Sequence, residues 1–278
     1  MRIDVISLFP ELVEQYFNTS VLGIARKKSL YSLYTHNPRK FSTDKHGAVD
    51  DTPYGGGAGM LLQPQPFFDC IESIIEDIKS RDPGALRDLQ SQSLSQARLE
   101  HPSSRDYEII LTSPCGERWN QSLARDFASR KNLIILCGRY EGFDERIKNI
   151  ASKKISLGDF VLTGGEVPAI ALADSVLRLL PGVLGDDSSS MFESFSDLDY
   201  LAELKKLGVS KRELETLLDK TNLQLDDLRK LNLLEYPQYT RPANFRGQEV
   251  PDVLQRGNHK EIFLWRLEQA IQASRGNP

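Results

Sequence analysis

Three short loops hold the residues best suited to chemistry: Ser113-Pro-Cys-Gly116, Gly138-Arg-Tyr-Glu-Gly142 and Gly158-Asp-Phe-Val-Leu-Thr-Gly-Gly-Glu-Val-Pro168. Each lies at the end of a short apolar run. Open α/β sheets bind small molecules outside the carboxyl ends of their strands, so the three loops predict a pocket walled by backbone amides. Glycines in such turns also serve geometry alone. Gly55-Gly-Gly-Ala-Gly59 contains a GxG, but no third glycine follows at the dinucleotide spacing and no strand directly precedes it. Its glycines still permit positive φ and close approach of another backbone or a ligand. No GxxxxGK[ST] is present, so nucleoside triphosphate hydrolysis has little support.

Arg178 stands in an otherwise apolar run, Ser175-Val-Leu-Arg-Leu-Leu-Pro-Gly182. A charge in that setting needs a function or a partner, such as a helix-end salt bridge. The histidines at 36, 46, 101 and 259 show no HxH or HExxH spacing, so no protein-ligated metal is predicted. Cys70, Cys115 and Cys137 form no close pair, which argues against a disulfide scaffold and fits a reducing cytoplasm. No GxSxG supports a serine hydrolase. Between Arg26 and Lys45 lie six basic residues against one acid, with Tyr31, Tyr34, His36 and Phe41 interleaved.

The elements that must position these residues follow from pattern. Arg2–Phe9, Tyr107–Thr112, Asn132–Cys137 and Ile155–Leu162 read as buried strands. The two middle runs flank a helical stretch, Glu117–Ser129, which is β-α-β spacing and predicts a parallel sheet. Both are apolar on each face, as strands covered by helices on both sides must be. Glu11–Phe17, Pro64–Lys79, Pro168–Leu180 and Lys260–Ala273 read as helices. Residues 50–60 are a glycine-rich loop, and 81–105 is a polar excursion. Residues 185–192 form a polar linker between a domain at 1–184 and a helical one at 193–278. Within the latter, leucine-rich 198–232 reads as an insert of two or three short helices. Two capping boxes are expected there, at Ser210–Glu213 and Thr221–Gln224.

The chain has 278 residues, 40% of them hydrophobic, and a net charge of −4 from 35 basic and 39 acidic residues. That is a globular composition. The charge excludes a uniformly basic nucleic-acid binder but not a local basic patch. No apolar run approaches the roughly 20 residues of a membrane-spanning helix, and the opening lacks the features of a signal peptide. No membrane partner is expected.

Six blocks in order go beyond these generic signals: VISLFPE at 5–11, DDTPYGGGAGM at 50–60, CGRYEGFDERI at 137–147, SLGDFVLTGGEVPA at 156–169, RLLPGVLG at 178–185 and LLEYPQYTRP at 233–242. Together they resemble the bacterial tRNA (guanine-N1)-methyltransferases, the TrmD family, from residue 2 to about 270. The resemblance implies a SPOUT-type α/β fold: a parallel sheet with a deep trefoil knot and a smaller helical C-terminal domain. It implies S-adenosylmethionine as methyl donor, magnesium as an assisting ion, and a homodimer with shared active sites. The implied substrate is a tRNA with guanosines at 36 and 37, methylated on N1 of guanosine 37.

By position, the resemblance places the donor against Leu111, Ser113, Gly138, Tyr140, Glu141, Leu157, Gly158, Asp159, Phe160, Val161, Leu162, Gly164, Gly165 and Pro168. It matches Arg178 to the family's arginine. The family's aspartate falls on Glu193, counted from PGVLG. Glutamate is longer by one C–C bond, ~1.5 Å, and Asp197 is the nearest alternative acid. Lys27, Lys28, Asp50, Arg241, Arg246 and His259 are assigned to RNA binding. Action on another RNA position, or donor and RNA binding without catalysis, are the competing readings.

Overall fold

A computed structural model describes residues 1–81, 107–185, 193–229 and 231–275. The polar excursion beyond Arg81 and the linker beyond Gly185 lie outside the described residues. The chain divides into two compact units, Met1–Gly185 and Asp186–Pro278.

In chain order the first unit contains β1 (Arg2–Ile6), α1 (Pro10–Phe17), α2 (Ser20–Lys27), β2 (Ser32–His36), β3 (Asp50–Asp51), β4 (Leu61–Leu62) and α3 (Pro64–Arg81). It continues with β5 (Tyr107–Arg118), α4 (Gln121–Ala128), β6 (Asn132–Leu136), α5 (Glu145–Lys148), β7 (Lys153–Ser156) and α6 (Glu166–Leu177). Five strands form a parallel sheet in the order β2-β1-β6-β5-β7. Strand alternation sends Ile3, Val5, Leu133 and Ile135 to one face, under α1, α2, α4 and α6. Ile6, Ile109, Leu111, Ile134 and Leu136 face the other way, against α3 and α5. Each side chain so buried contributes about 1.5–3 kcal/mol.

Several boundaries differ from the sequence reading. The strand expected over Ile155–Leu162 ends at Ser156, because the Ser156 hydroxyl accepts the Gly158 N–H at 3.1 Å and turns the chain. Phe160, Val161 and Leu162 are exposed at 52%, 83% and 42%, so their apolarity does not belong to the core. β5 runs on to Arg118, with its register against β7 shifting between Thr112 and Glu117. The next helix therefore starts at Gln121, capped by the Asn120 side chain, which accepts the Leu123 N–H at 3.0 Å. α2 runs into the start of the basic stretch and β2 lies inside it, and the sequence reading assigned neither. β2 is an edge strand, and Arg26 is held by Glu14 at 2.6 Å and the Leu33 carbonyl at 2.8 Å.

The second unit contains α7 (Tyr200–Lys206), α8 (Lys211–Thr221), a two-stranded ribbon of β8 (Asn244–Phe245) and β9 (Gln248–Glu249), α9 (Asp252–Gln255) and α10 (His259–Ser274). Tyr200, Leu201, Leu204, Leu217 and Leu228 pack with Leu233, Leu267, Ala270 and Ile271. The stretch 198–232 thus supplies much of this unit's core. The Ser210–Glu213 capping box is formed. The one expected at Thr221 is not: Thr221 ends α8, its hydroxyl donates to the Leu217 carbonyl at 2.7 Å, and Asn222 leaves in the left-handed conformation. α10 buries Leu267, Ala270 and Ile271, spaced three and four apart.

Candidate active site

At the carboxyl ends of β5, β6 and β7 the loops enclose a cavity of about 350 Å³. That size suits a small molecule. From the loop after β5 come Leu111, Ser113 and Cys115; from the loop after β6, Gly138, Tyr140 and Glu141. Leu157, Gly158, Phe160, Val161, Leu162, Gly164, Gly165 and Pro168 complete the wall. Among the described residues that the resemblance placed at the donor, Asp159 alone lies outside this lining. Its exposed carboxylate pairs with Arg118 instead.

The loops are locked at close quarters by glycine. The Gly165 N–H donates to the Gly138 carbonyl at 2.8 Å. A Cβ on Gly165 would stand 2.3 Å from Thr112 Oγ1, 2.6 Å from the Gly138 nitrogen and 2.7 Å from Cys137 Cα. Tyr140 takes a left-handed φ of +58°. For a residue with a side chain that costs about 1–2 kcal/mol, strain of the kind found at binding sites. Exposed Tyr140 and its neighbour Glu141 both line the cavity.

The glycine-rich segment is the long tip of the β3–β4 ribbon, with Gly55, Gly56, Gly57 and Gly59 all at positive φ. Its base is sewn to the cavity: Glu141 donates its N–H to the Met60 carbonyl at 3.1 Å, and Leu62 donates to the Gly142 carbonyl at 2.9 Å. A Cβ on Gly59 would stand 2.5 Å from Glu141 Cγ, so glycine lets the ribbon lie against that carboxylate.

Arg139 and Thr163, within the predicted loops, line the cavity too, and Thr112, Phe143, Lys148, Ile155 and Ser156 join them from outside those loops. Thr112 and Phe143 adjoin loop residues, and Ile155 and Ser156 run up to Leu157, so contiguity was the available signal; Lys148, on α5, carried none. Burial, reinforced by Glu166, pushes the Cys137 thiol well above its ordinary range, so it offers no thiolate. Cys70, also buried, is pushed up to about 12.

The remaining expected residues are divided between the units. Half-buried Arg178 caps the C-terminus of α6, its N–H donating to the Asp174 carbonyl at 3.0 Å. Glu193 and Asp197 lie in the second unit on a turn fastened to 233–235: Phe195 donates its N–H to the Leu233 carbonyl at 2.7 Å, and Glu235 donates to Ser194 Oγ at 2.9 Å. Lys27 and Lys28 are exposed at the end of α2, and Asp50 is half-buried in β3. Arg241 precedes the ribbon, Arg246 sits at its tip with the guanidinium 5.2 Å from the Phe245 ring, and His259 begins α10. Among the described residues no group of three or more His, Cys, Asp or Glu side chains is arranged to hold a metal.

A family model for tRNA (guanine-1)-methyltransferase TrmD matches residues 1–206 and 207–277. A Lactiplantibacillus plantarum protein named tRNA (guanine-N(1)-)-methyltransferase is 41% identical over 272 residues, covering 98% of this chain and 87% of the relative. Proteins of the same name from Dehalococcoides mccartyi and Nostoc punctiforme are 41% and 40% identical, covering 98% and 99% of this chain and 86% and 90% of their own length. With family blocks in order along the chain and glycine-locked loops closing one cavity, this chain belongs to the tRNA (guanine-1)-methyltransferase TrmD family.

Proposed function

We propose that the protein transfers a methyl group from S-adenosylmethionine to N1 of guanosine 37 in tRNA. The observation that carries this reading is the cavity between the three strand-end loops, in a chain whose relatives are named for guanine-N1 methylation. Its walls fit the donor: backbone amides and carbonyls of tight loops can read adenine edges, and the Glu141 carboxylate offers charge to a cationic ligand. When bound, the donor supplies a methyl group on a sulfonium sulfur.

Guanine N1 carries a proton, and its lone pair is delocalised into the ring, so it is a poor nucleophile. Methylation needs a base for that proton and a cation near O6. In this reading the Glu193 carboxylate takes the N1 proton while the Arg178 guanidinium stabilises the negative charge left on O6. Asp197 is the alternative base. Among the described residues no group of three or more His, Cys, Asp or Glu side chains is gathered to cage the assisting magnesium ion.

The accompanying fold reading is a SPOUT-type knot, supported by the parallel five-stranded sheet and by the family to which the chain belongs. The domain reading assigns 1–184 to the donor and 193–278 to tRNA, joined by 185–192. Homodimerisation is supported by exposed Phe9, Leu12, Tyr16, Val21, Ile24 and Val167 on α1, α2, α6 and the turn before α1. Lys27, Lys28, Arg241, Arg246 and His259 are assigned to tRNA phosphates, with Asp50 near the bound RNA. A cytoplasmic location completes the reading, and no helix among the described residues is long and apolar enough to cross a membrane. Transfer of tritium from labelled donor to an unmodified tRNA with guanosines at 36 and 37 tests the reaction. Binding of donor and tRNA without transfer would point to a regulator instead.

A further inference from the structure

Arg139, in the cavity lining, pairs with a buried carboxylate, and the reaction as read above uses neither. Glu166, the first residue of α6, is 2% exposed. Its Oε1 accepts the Ser7 hydroxyl at 2.7 Å and Arg139 Nε at 3.3 Å, and its Oε2 lies 2.8 Å from Arg139 Nη2. The same guanidinium donates through Nη1 to the Thr163 carbonyl at 3.2 Å and stacks 4.5 Å from the Phe9 ring centre. Gly164 lies flat against it: a Cβ there would stand 2.3 Å from Arg139 Nε. One side chain therefore ties together 7–9, 138–142 and 163–166.

Two of those segments line the cavity. Arg139 belongs to the loop that presents Tyr140 and Glu141, and it holds the loop that presents Leu162 and Gly164. We propose that Arg139, fixed by Glu166 and Ser7, is a positioning residue that sets the spacing of these two loops and hence the affinity for the methyl donor. This rests on the donor reading of the cavity. The planar fork is essential, because an ammonium in its place is a point charge that cannot hold both a carboxylate and a carbonyl in one plane. Phe9 beneath the guanidinium restricts its remaining freedom.

A structural role alone predicts something different, and paired variants separate the two. Arg139→Met by itself orphans a buried carboxylate and destabilises the fold. Arg139→Met combined with Glu166→Gln removes that charge, and Arg139→Lys keeps the carboxylate paired. Melting temperature and S-adenosylmethionine affinity by titration calorimetry are measured for wild type and both variants. The double variant and Arg139→Lys are expected to melt close to wild type yet bind the donor about tenfold or more weakly, the size of one lost charge-assisted hydrogen bond. Their KM for tRNA should stay unchanged. Wild-type affinity in either folded variant overturns the positioning role and leaves the donor reading standing. No binding by wild type overturns both.

Discussion

Gly165→Ala puts the packing of the site under direct stress. Gly165 has φ −85° and ψ −2°, a conformation open to alanine, so the substitution carries no backbone penalty. The cost is steric. A Cβ there would lie 2.6 Å from the Gly138 nitrogen, whereas ordinary contact begins at 3.4 Å. The β6 loop must retreat by about 0.8 Å, stretching the 2.8 Å hydrogen bond from Gly165 to Gly138. Overpacking of this kind costs about 1–3 kcal/mol of stability, or several degrees of melting temperature at about 2–4 °C per kcal/mol. A shift approaching 1 Å at a reacting centre costs on the order of 100-fold in rate. Calorimetric melting, donor titration and initial rates of methyl transfer read the three effects. Gly185→Ala, which meets nothing within 4 Å among the described residues, is the silent control. Wild-type donor affinity in Gly165→Ala would refute the argument that this glycine shapes the cavity.

Glu193→Gln should lower the methyl-transfer rate by about 10²–10⁴ with little change in donor affinity; a silent Glu193→Gln beside an inactive Asp197→Asn would move the base to Asp197. Lys27→Ala with Lys28→Ala should reduce the slope of log affinity for tRNA against log salt by roughly 0.7–0.9 for each phosphate no longer neutralised, and an unchanged slope would remove that pair from the RNA surface. Glu213, whose carboxyl is held at about 2 by Lys260 and the Ser210 cap, lends stability above its ordinary 4.5 that is lost as pH falls toward 2. Glu213→Gln should therefore flatten the acid limb of the melting curve over that window, and an unaltered limb would deny the linkage.

Where local signals suffice, the sequence was legible. β5 and β6 are apolar on both faces because helices cover both, and α3 begins at Pro64 as its N-terminal prolines require. The three site loops stood out because strand ends and glycines mark them within a few residues. Signals failed where one residue type serves two ends. Phe160, Val161 and Leu162 look like strand residues but face the cavity. Within the basic residues from Arg26 onward, β2 carries a weak signal, because this edge strand buries Leu33 alone among its five residues. Long-range pairing left no local trace: nothing near Arg139 announces Glu166, 27 positions away, or Ser7 beyond it. Asp159 sits inside a well-marked loop, yet only the fold shows it turned toward Arg118.

The most direct test of the central claim is primer extension on an unmodified tRNA carrying guanosines at 36 and 37, after incubation with the protein and S-adenosylmethionine. A methyl group on N1 blocks the Watson–Crick edge, so reverse transcription should arrest at guanosine 37. The arrest should disappear when that base is replaced by adenosine and should weaken strongly with Glu193→Gln. Full-length extension through position 37, or an arrest at another nucleotide, would contradict the account.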